Sequence, residues 1–325
     1  MSKRLVLFVF VLVVLSIVPL SVTAQDAPIK IGFLPGVVDP FYQVMELGVN
    51  QAVSDFGLEV VTQYPQTWGP TEQTPILDAM VARGDIDCLI TAPTDKEQMI
   101  APLQAAADAG IRIVTVDTFL GDGDYVNGPV TFPISYIGSD NAEGGRIAAH
   151  AMAEALGEQG NVYIQNTNVG VSTTEQRGQG FREGIAEYPN MTVVGEDYNL
   201  DDANTSVEQT AAVLQREPDL GGIFGVNVFS AQGAGTAVQN AGLSGQTQVI
   251  AFDATQFAME LLDNGTVTLV IAQKPYDMGY LGVEFCMADA RGVTSLPPRV
   301  TTGFAVIDAE NRNDPEVARF IYQVP

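Results

Sequence analysis

Val249-Ile250-Ala251-Phe252-Asp253, Ile113-Val114-Thr115-Val116-Asp117 and Ile29-Lys30-Ile31-Gly32-Phe33-Leu34, the last leading through a short loop to Asp39-Pro40-Phe41-Tyr42, share one form: an apolar run that stops at a carboxylate. Strands of a parallel sheet buried on both faces read as such runs, and ligands sit in the crevice beyond their carboxyl ends. The three Asp residues therefore point to a polar binding crevice rather than to a fold-stabilising role.

Working outward, strand-like runs recur at 29–34, 58–63, 86–91, 112–116, 134–138, 161–165, 192–196, 221–226, 247–252 and 268–272. Between most of them lie stretches with apolar residues three and four apart, such as Met45, Val49, Ala52, Val53 and Phe56, or Ile147, Ala148, Met152 and Leu156. This alternation predicts an α/β fold of doubly wound parallel sheets with helices on both faces. Ten strands are too many for one ordinary domain, so the pattern predicts two lobes of about 130 residues each. The break is expected in the Gly-, Asp- and Pro-rich stretch from Leu120 to Pro129, ahead of Ser139-Asp140-Asn141, which reads as a helix N-cap. Asp122, Asp124 and Asn127 lack the spacing and the closing Glu of a calcium loop and read as a surface turn.

Lys3 and Arg4 precede an apolar stretch from Leu5 to about Val18, and Val22-Thr23-Ala24 carries the small residues at which a signal peptidase cuts. Residues 1–24 are therefore expected to be a signal peptide, because an apolar stretch of about 14 residues is short of the roughly 20 that span a bilayer. No Cys lies near the cut to take a lipid anchor, so the mature chain is expected to be exported, soluble and without stable membrane insertion. The formal charge is −24, and cleavage would take it to −26 by removing Lys3 and Arg4. Such a field repels phosphate backbones and makes nucleic acid a poor partner. The two cysteines, Cys88 in a strand pattern and Cys286 in a helical one, could be oxidised in an exported chain but read rather as two buried thiols, since a chain of this length needs no staple.

Little supports an enzyme. The one His, His150, stands among alanines on a helical face, and no Gly-x-Ser-x-Gly elbow, phosphate loop or zinc-type cluster occurs, so no metal or cofactor is expected. A hydrolase built on Asp117 and Asp253 is conceivable, but spacing along the chain does not set their separation. Binding fits better, because a polyhydroxylated ligand needs short acceptors, amides and aromatic faces. Strand ends supply them in Asp39, Asp117, Asn227, Asp253 and Gln273, with Phe41 and Tyr42 as the aromatics. Asp39 before Pro40 would also serve as an N-cap, and Phe41 and Tyr42 would also serve as packing. Trp68, the only Trp, could line the crevice mouth or cover the lobe surface.

In order, Asp39-Pro40-Phe41-Tyr42, Ala92-Pro93-Thr94-Asp95, Val114-Thr115-Val116-Asp117, Ile137-Gly138-Ser139-Asp140-Asn141, Arg177-Gly178-Gln179-Gly180-Phe181, Phe224-Gly225-Val226-Asn227, Asp253 and Ile271-Ala272-Gln273 resemble the periplasmic sugar-binding proteins of the ribose and galactose type. The resemblance covers about residues 28–290. It implies a receptor, expected as a monomer, that captures a monosaccharide or sugar derivative between two lobes joined by a three-segment hinge and delivers it to the permease subunits of an ABC importer. It divides the chain into a first lobe of 28–134 plus about 274–300 and a second of about 135–273 plus 301–325. Asp39, Phe41, Tyr42 and Asp117 would be contacts of the first lobe, and Asn227, Asp253 and Gln273 contacts of the second lobe and hinge.

Two positions depart from that pattern. Thr118 and Glu175 stand where such receptors often carry Arg, so the site would lose two bidentate donors and gain an anion, which would suit a donor-rich or cationic ligand. Arg177 is expected to pair locally at the start of its helix. Gly69-Pro70-Thr71-Glu72 and Asp201-Asp202-Ala203-Asn204 also look like stretches of the autoinducer-2 receptors of the same fold, which would bring Asp202 into the site. Transcription repressors with such lobes begin with a basic DNA-binding module, whereas this chain begins with the apolar leader. A secreted carboxylate-dependent hydrolase remains the reading from another class.

Overall fold

The computed structural model describes residues 29–324, and the expected signal peptide lies outside them. Strand and helix alternate from the start: β1 (Lys30–Leu34), α1 (Pro40–Phe56), β2 (Glu59–Thr62), α2 (Pro70–Ala82), β3 (Cys88–Thr91), α3 (Ile100–Asp108), β4 (Arg112–Val116) and β5 (Ser135–Gly138). A second series follows with α4 (Asn141–Leu156), β6 (Gln159–Asn166), α5 (Ser172–Ile185), β7 (Asn190–Tyr198) and α6 (Ala203–Arg216). It continues through β8 (Leu220–Gly225), α7 (Val228–Asn240), β9 (Gln248–Phe252), α8 (Gln256–Asp263) and β10 (Leu269–Ala272). Last come α9 (Pro275–Ala290), β11 (Arg299–Thr301), β12 (Ala305–Ile307) and α10 (Pro315–Ala318).

The strands form two sheets of one design, ordered β11-β5-β4-β3-β1-β2 and β12-β10-β9-β8-β6-β7. Every pair is parallel except β10 with β12. Each sheet reverses its strand order next to the first strand of its lobe, and this is where an open α/β sheet leaves a crevice at its carboxyl edge. The edge strands β11 and β12 escape an apolar-run reading. Each is three residues long, and Arg299-Val300-Thr301 lies mostly exposed, so no buried run marks it.

Pairing of β5 with β4 keeps residues 135–138 in the first lobe, so the chain leaves that lobe after Gly138 rather than at 134/135. β11 likewise holds Arg299–Thr301 in the first sheet, which moves the last crossing to 302–304. The Gly-rich stretch at 120–129 is not a break between lobes. It folds back on the first lobe, where Phe119, Leu120, Tyr125 and Val130 are buried with Leu34, Leu89 and Tyr136, and the Tyr125 hydroxyl bonds Thr115 Oγ1 at 2.8 Å. Its Gly and Asp residues report turn chemistry, with Asp124 Oδ1 accepting from Val126 and Asn127.

Helix α1 shows how the local sequence aims a functional face. Asp39 caps its N-terminus by accepting from the Tyr42 amide at 2.8 Å, Pro40 opens it, and Gly57 ends it in the left-handed conformation at φ 66. Met45, Val49 and Ala52 then pack as one buried stripe against the first sheet. Helix α9, from far along the chain, packs beside α1 and over β3 and β4. That docking brings Cys286 to Cys88, with Cα atoms 5.8 Å apart, and the two form a disulfide. The reading of two separate thiols is therefore corrected: burial was right, but partners 198 residues apart meet only through the packing of α9. A cross-link closing so long a loop restricts the unfolded chain strongly.

Candidate functional site

Beyond the carboxyl edges of the two sheets the lobes meet around a cavity lined from both sides. The first lobe contributes Asp39, Phe41, Tyr42, Trp68 and Asp117. From the second lobe and hinge come Asn227, Asp253 and Gln273, with Arg177, Asp201, Val228 and the threonines at 167, 173 and 174. Seven of the nine principal candidates thus converge on one cavity, and Trp68 joins them. Thr118, Glu175 and Asp202 do not line it.

Asp117 and Asp253 occupy equivalent places in the two lobes. Each follows the last residue of its strand and donates its amide to the neighbouring strand at 2.9 Å, Asp117 to Ile137 O and Asp253 to Ile271 O. Each then turns left-handed, at φ 59 and φ 76. That conformation is uncommon for a residue with a Cβ, and here it swings the carboxylate over the sheet edge into the cavity. Asp117 Oδ2 accepts from the Tyr42 hydroxyl at 2.7 Å. Asp253 Oδ1 accepts from Gln273 Nε2 and the Tyr322 hydroxyl, both at 2.9 Å. Gln273 in turn accepts from Ser139 Oγ at 2.7 Å, which ties together two of the segments that cross between lobes.

Arg177 is the cation of the site, against the expectation of a local pair at its helix start. Buried to 2% exposure, it lies 3.9 Å over the Phe252 ring. Its Nε donates to Asn141 Oδ1 at 2.8 Å and its Nη1 to Val226 O at 3.0 Å, while Nη2 is buried with no partner. On α5, Arg177 is four residues before Phe181 and eight before Ile185, both core residues, so it shares their inward face. Glu175 is two residues away, about 200° around the helix, and must point elsewhere. It accepts from the Gly170 amide at 2.8 Å and from Lys96 Nζ at 2.6 Å. The case for a cationic ligand that rested on Glu175 is thereby removed.

The other two misplaced candidates have equally local explanations. Thr118 is buried but turned away, donating to Pro93 O at 2.8 Å. Asp202 is the N-cap of α6 and accepts from the Thr205 amide at 2.7 Å, which leaves the residue before it, Asp201, to face the cavity. Trp68 donates its indole N–H to Thr94 O at 2.8 Å and stacks on Tyr42 with ring centroids 6.4 Å apart. The ring lies directly on the backbone at Gly36, where any Cβ would collide with it.

Four carboxylates share this enclosed space with a single guanidinium. Loss of water raises Asp117 to about 6, although Arg177 and the Tyr42 hydroxyl pull the other way. Burial likewise raises Asp201 to about 6, against a hydrogen bond from Asn227. Asp39 and Asp253 are also raised, again chiefly by burial. Such a set favours groups that bring hydroxyl protons, and it opposes anions. Among the described residues no group of three or more His, Cys, Asp or Glu is arranged to hold a metal ion. His150 lies away from the cavity, bonded to the Tyr188 hydroxyl at 2.8 Å.

Lys96 and Glu175 form part of a clasp at the lip of the cleft. The Lys96 amide donates to Gly170 O at 3.2 Å, and the Phe119 amide donates to Ser172 Oγ at 3.1 Å, each bond joining the two lobes. With side chains about one-third exposed, the ion pair is screened and contributes no more than about 1 kcal/mol. Glu175→Gln is accordingly expected to speed ligand release two- to fivefold and to reduce its salt dependence, in stopped-flow measurements of Trp68 fluorescence. An unchanged release rate would show that the pair does not hold the lobes shut.

The family model described as a periplasmic binding protein domain matches residues 31–293. An ABC transporter solute-binding protein from Agrobacterium vitis, solved with α-D-tagatopyranose, superposes with a TM-score of 0.89 at 45% identity, covering 91% of this chain and 99% of that one. A solute-binding protein from Burkholderia graminis in complex with D-arabinose gives 0.82 at 26% identity, covering 89% and 99%. The ribose import binding protein of Escherichia coli is 28% identical over 246 residues, 76% of this chain and 79% of its own length. No helix of the described residues is long and apolar enough to cross a membrane. With the match spanning both lobes and the cavity between them, this chain belongs to the periplasmic binding protein family.

Proposed function

We propose that the chain is the extracytoplasmic solute-binding component of an ABC importer and captures a neutral monosaccharide for delivery to permease subunits. The observation that carries this reading is the cavity between the lobes, where acceptors from both sheets, one guanidinium and three aromatic rings face inward together. Relatives of the same architecture are described with bound tagatose, arabinose, fucose and allose, all neutral polyols. The basic-then-apolar leader at residues 1–24 supports export. Turnover has less in its favour, because both carboxylates that a hydrolase would use are already hydrogen-bonded, Asp117 by Tyr42 and Asp253 by Gln273 and Tyr322.

Calorimetric titration with D-tagatose, D-ribose, D-allose, D-arabinose and D-fucose, paired with solution scattering, tests the proposal. At least one sugar should bind without being consumed and should reduce the radius of gyration, as hinge closure requires. No heat from any sugar, together with identical scattering profiles, would overturn it.

A further inference from the structure

All three aromatic rings that line the cavity among the described residues, Phe41, Tyr42 and Trp68, come from the first lobe. A sugar ring gripped on both faces by aromatics would need one from the second lobe as well. There the wall is polar, and Asp201 is its most deliberately placed member. Leu200 and Asp201 are consecutive non-glycine residues in the left-handed region, at φ 59 and φ 60, an arrangement that costs energy at each residue. Two asparagines hold it there. Asn199 Oδ1 accepts from the Asp201 amide at 2.9 Å and is itself anchored through Nδ2 to Ser230 Oγ at 2.8 Å. Asn227 Nδ2 donates to Asp201 Oδ1 at 2.7 Å. No donor among the described residues reaches the second carboxylate oxygen. The same cavity holds the buried, unpartnered Nη2 of Arg177, so its second-lobe side offers an acceptor and a donor that both lack partners.

We propose that Asp201 is a specificity-determining residue: it selects sugars that turn a C–H face to the aromatics of the first lobe and direct a hydroxyl from the opposite face to the Asp201 carboxylate. The inference rests on the proposed sugar-receptor function and narrows it to a stereochemical class. An aromatic wall binds the flat C–H face of a ring whatever hydroxyls stand on its far side. A fixed carboxylate on the second lobe does not. It rejects an epimer or deoxy sugar that lacks the matching hydroxyl, because its acceptor is then buried unmet.

The test uses D-tagatose and its monodeoxy analogues, or the tightest sugar of the panel above should D-tagatose give no heat, against wild type, Asp201→Gly and Asp201→Asn. Both replacements tolerate the left-handed backbone, so the loop keeps its course, and thermal melts check that each variant folds. Asp201→Gly should weaken the parent sugar about tenfold or more, and Asp201→Asn by less. One monodeoxy analogue, lacking the hydroxyl that meets Asp201, should lose this preference for wild type and bind Asp201→Gly at least as well, since the variant has no acceptor left buried unmet. Wild-type binding with the same wild-type to Asp201→Gly ratio for every analogue would overturn the specificity role and leave the receptor function standing. Failure of the wild type to bind any sugar would overturn both.

Discussion

Arg177→Ala is expected to weaken binding of the sugar that titrates the wild type at least a hundredfold. Arg177 is the only cationic side chain lining the cavity among the described residues, and it faces Asp39, Asp117, Asp201 and Asp253. Its attraction lowers the proton affinity of Asp117 and Asp253, so it is what allows those two to remain charged acceptors when the lobes close. Truncation removes the Nη2 donor and leaves buried carboxylates without a counter-ion, a loss that in buried charged pairs amounts to about 3 kcal/mol or more. Arg177→Lys should recover little, because the three donors of an ammonium radiate from one nitrogen and cannot span Asn141, Val226 O and a ligand, which the guanidinium meets from separate nitrogens. Nor would it lie flat on Phe252. Titration calorimetry against the same sugar reads the effect, with a thermal melt to confirm folding. A variant that melts like wild type and keeps affinity within threefold would mean that the guanidinium serves packing alone.

What was legible in the chain follows from which physical signal each residue leaves. Asp117, Asp253 and Asn227 end buried apolar strands, and that one-dimensional pattern maps directly onto the edge of a parallel sheet. All three line the cavity for that reason. Arg177 leaves its signal in the helical period, four residues before Phe181, and not in the residues adjacent to it in the chain. Glu175 enters only through the resemblance to the sugar receptors, and the same helical period turns it away from the face of Arg177. Asp201 was masked by Asp202, whose position three residues before Thr205 is that of an N-cap. Once the cap is assigned, its neighbour becomes the free carboxylate. The cystine and the edge strands β11 and β12 could not be read from local pattern, since each depends on the docking of a segment distant in the sequence.

Closure itself should depend on pH, and more closure is expected under acid conditions. With the lobes together the four cavity carboxylates are out of water, and Asp117 and Asp201 each stand at about 6 against an ordinary value of 3.8. For an acid, a raised value in the closed form means that the closed form holds the proton more tightly. For Asp117 and Asp201 the penalty on closing is absent below pH 3.8, grows as pH rises, and is complete above about 6, and Asp39 and Asp253, also raised by burial, add to it with the same sign. A rise of that size sets an upper bound of about 3 kcal/mol per group on the closing penalty. Hydroxyl donors on a bound sugar stabilise the charged form and relieve part of that penalty, so sugar drives closure most decisively at neutral pH. Without sugar, the closed fraction measured by scattering or by interlobe energy transfer should fall as pH rises from 4 through 6.5. In the doubly substituted Asp117→Asn, Asp201→Asn protein the profile should become shallower, Asp39 and Asp253 keeping the rest, with the closed form more populated at pH 7.5 than in wild type. A wild-type closed fraction that stays constant from pH 4 to pH 7 would show that these carboxylates do not govern the hinge.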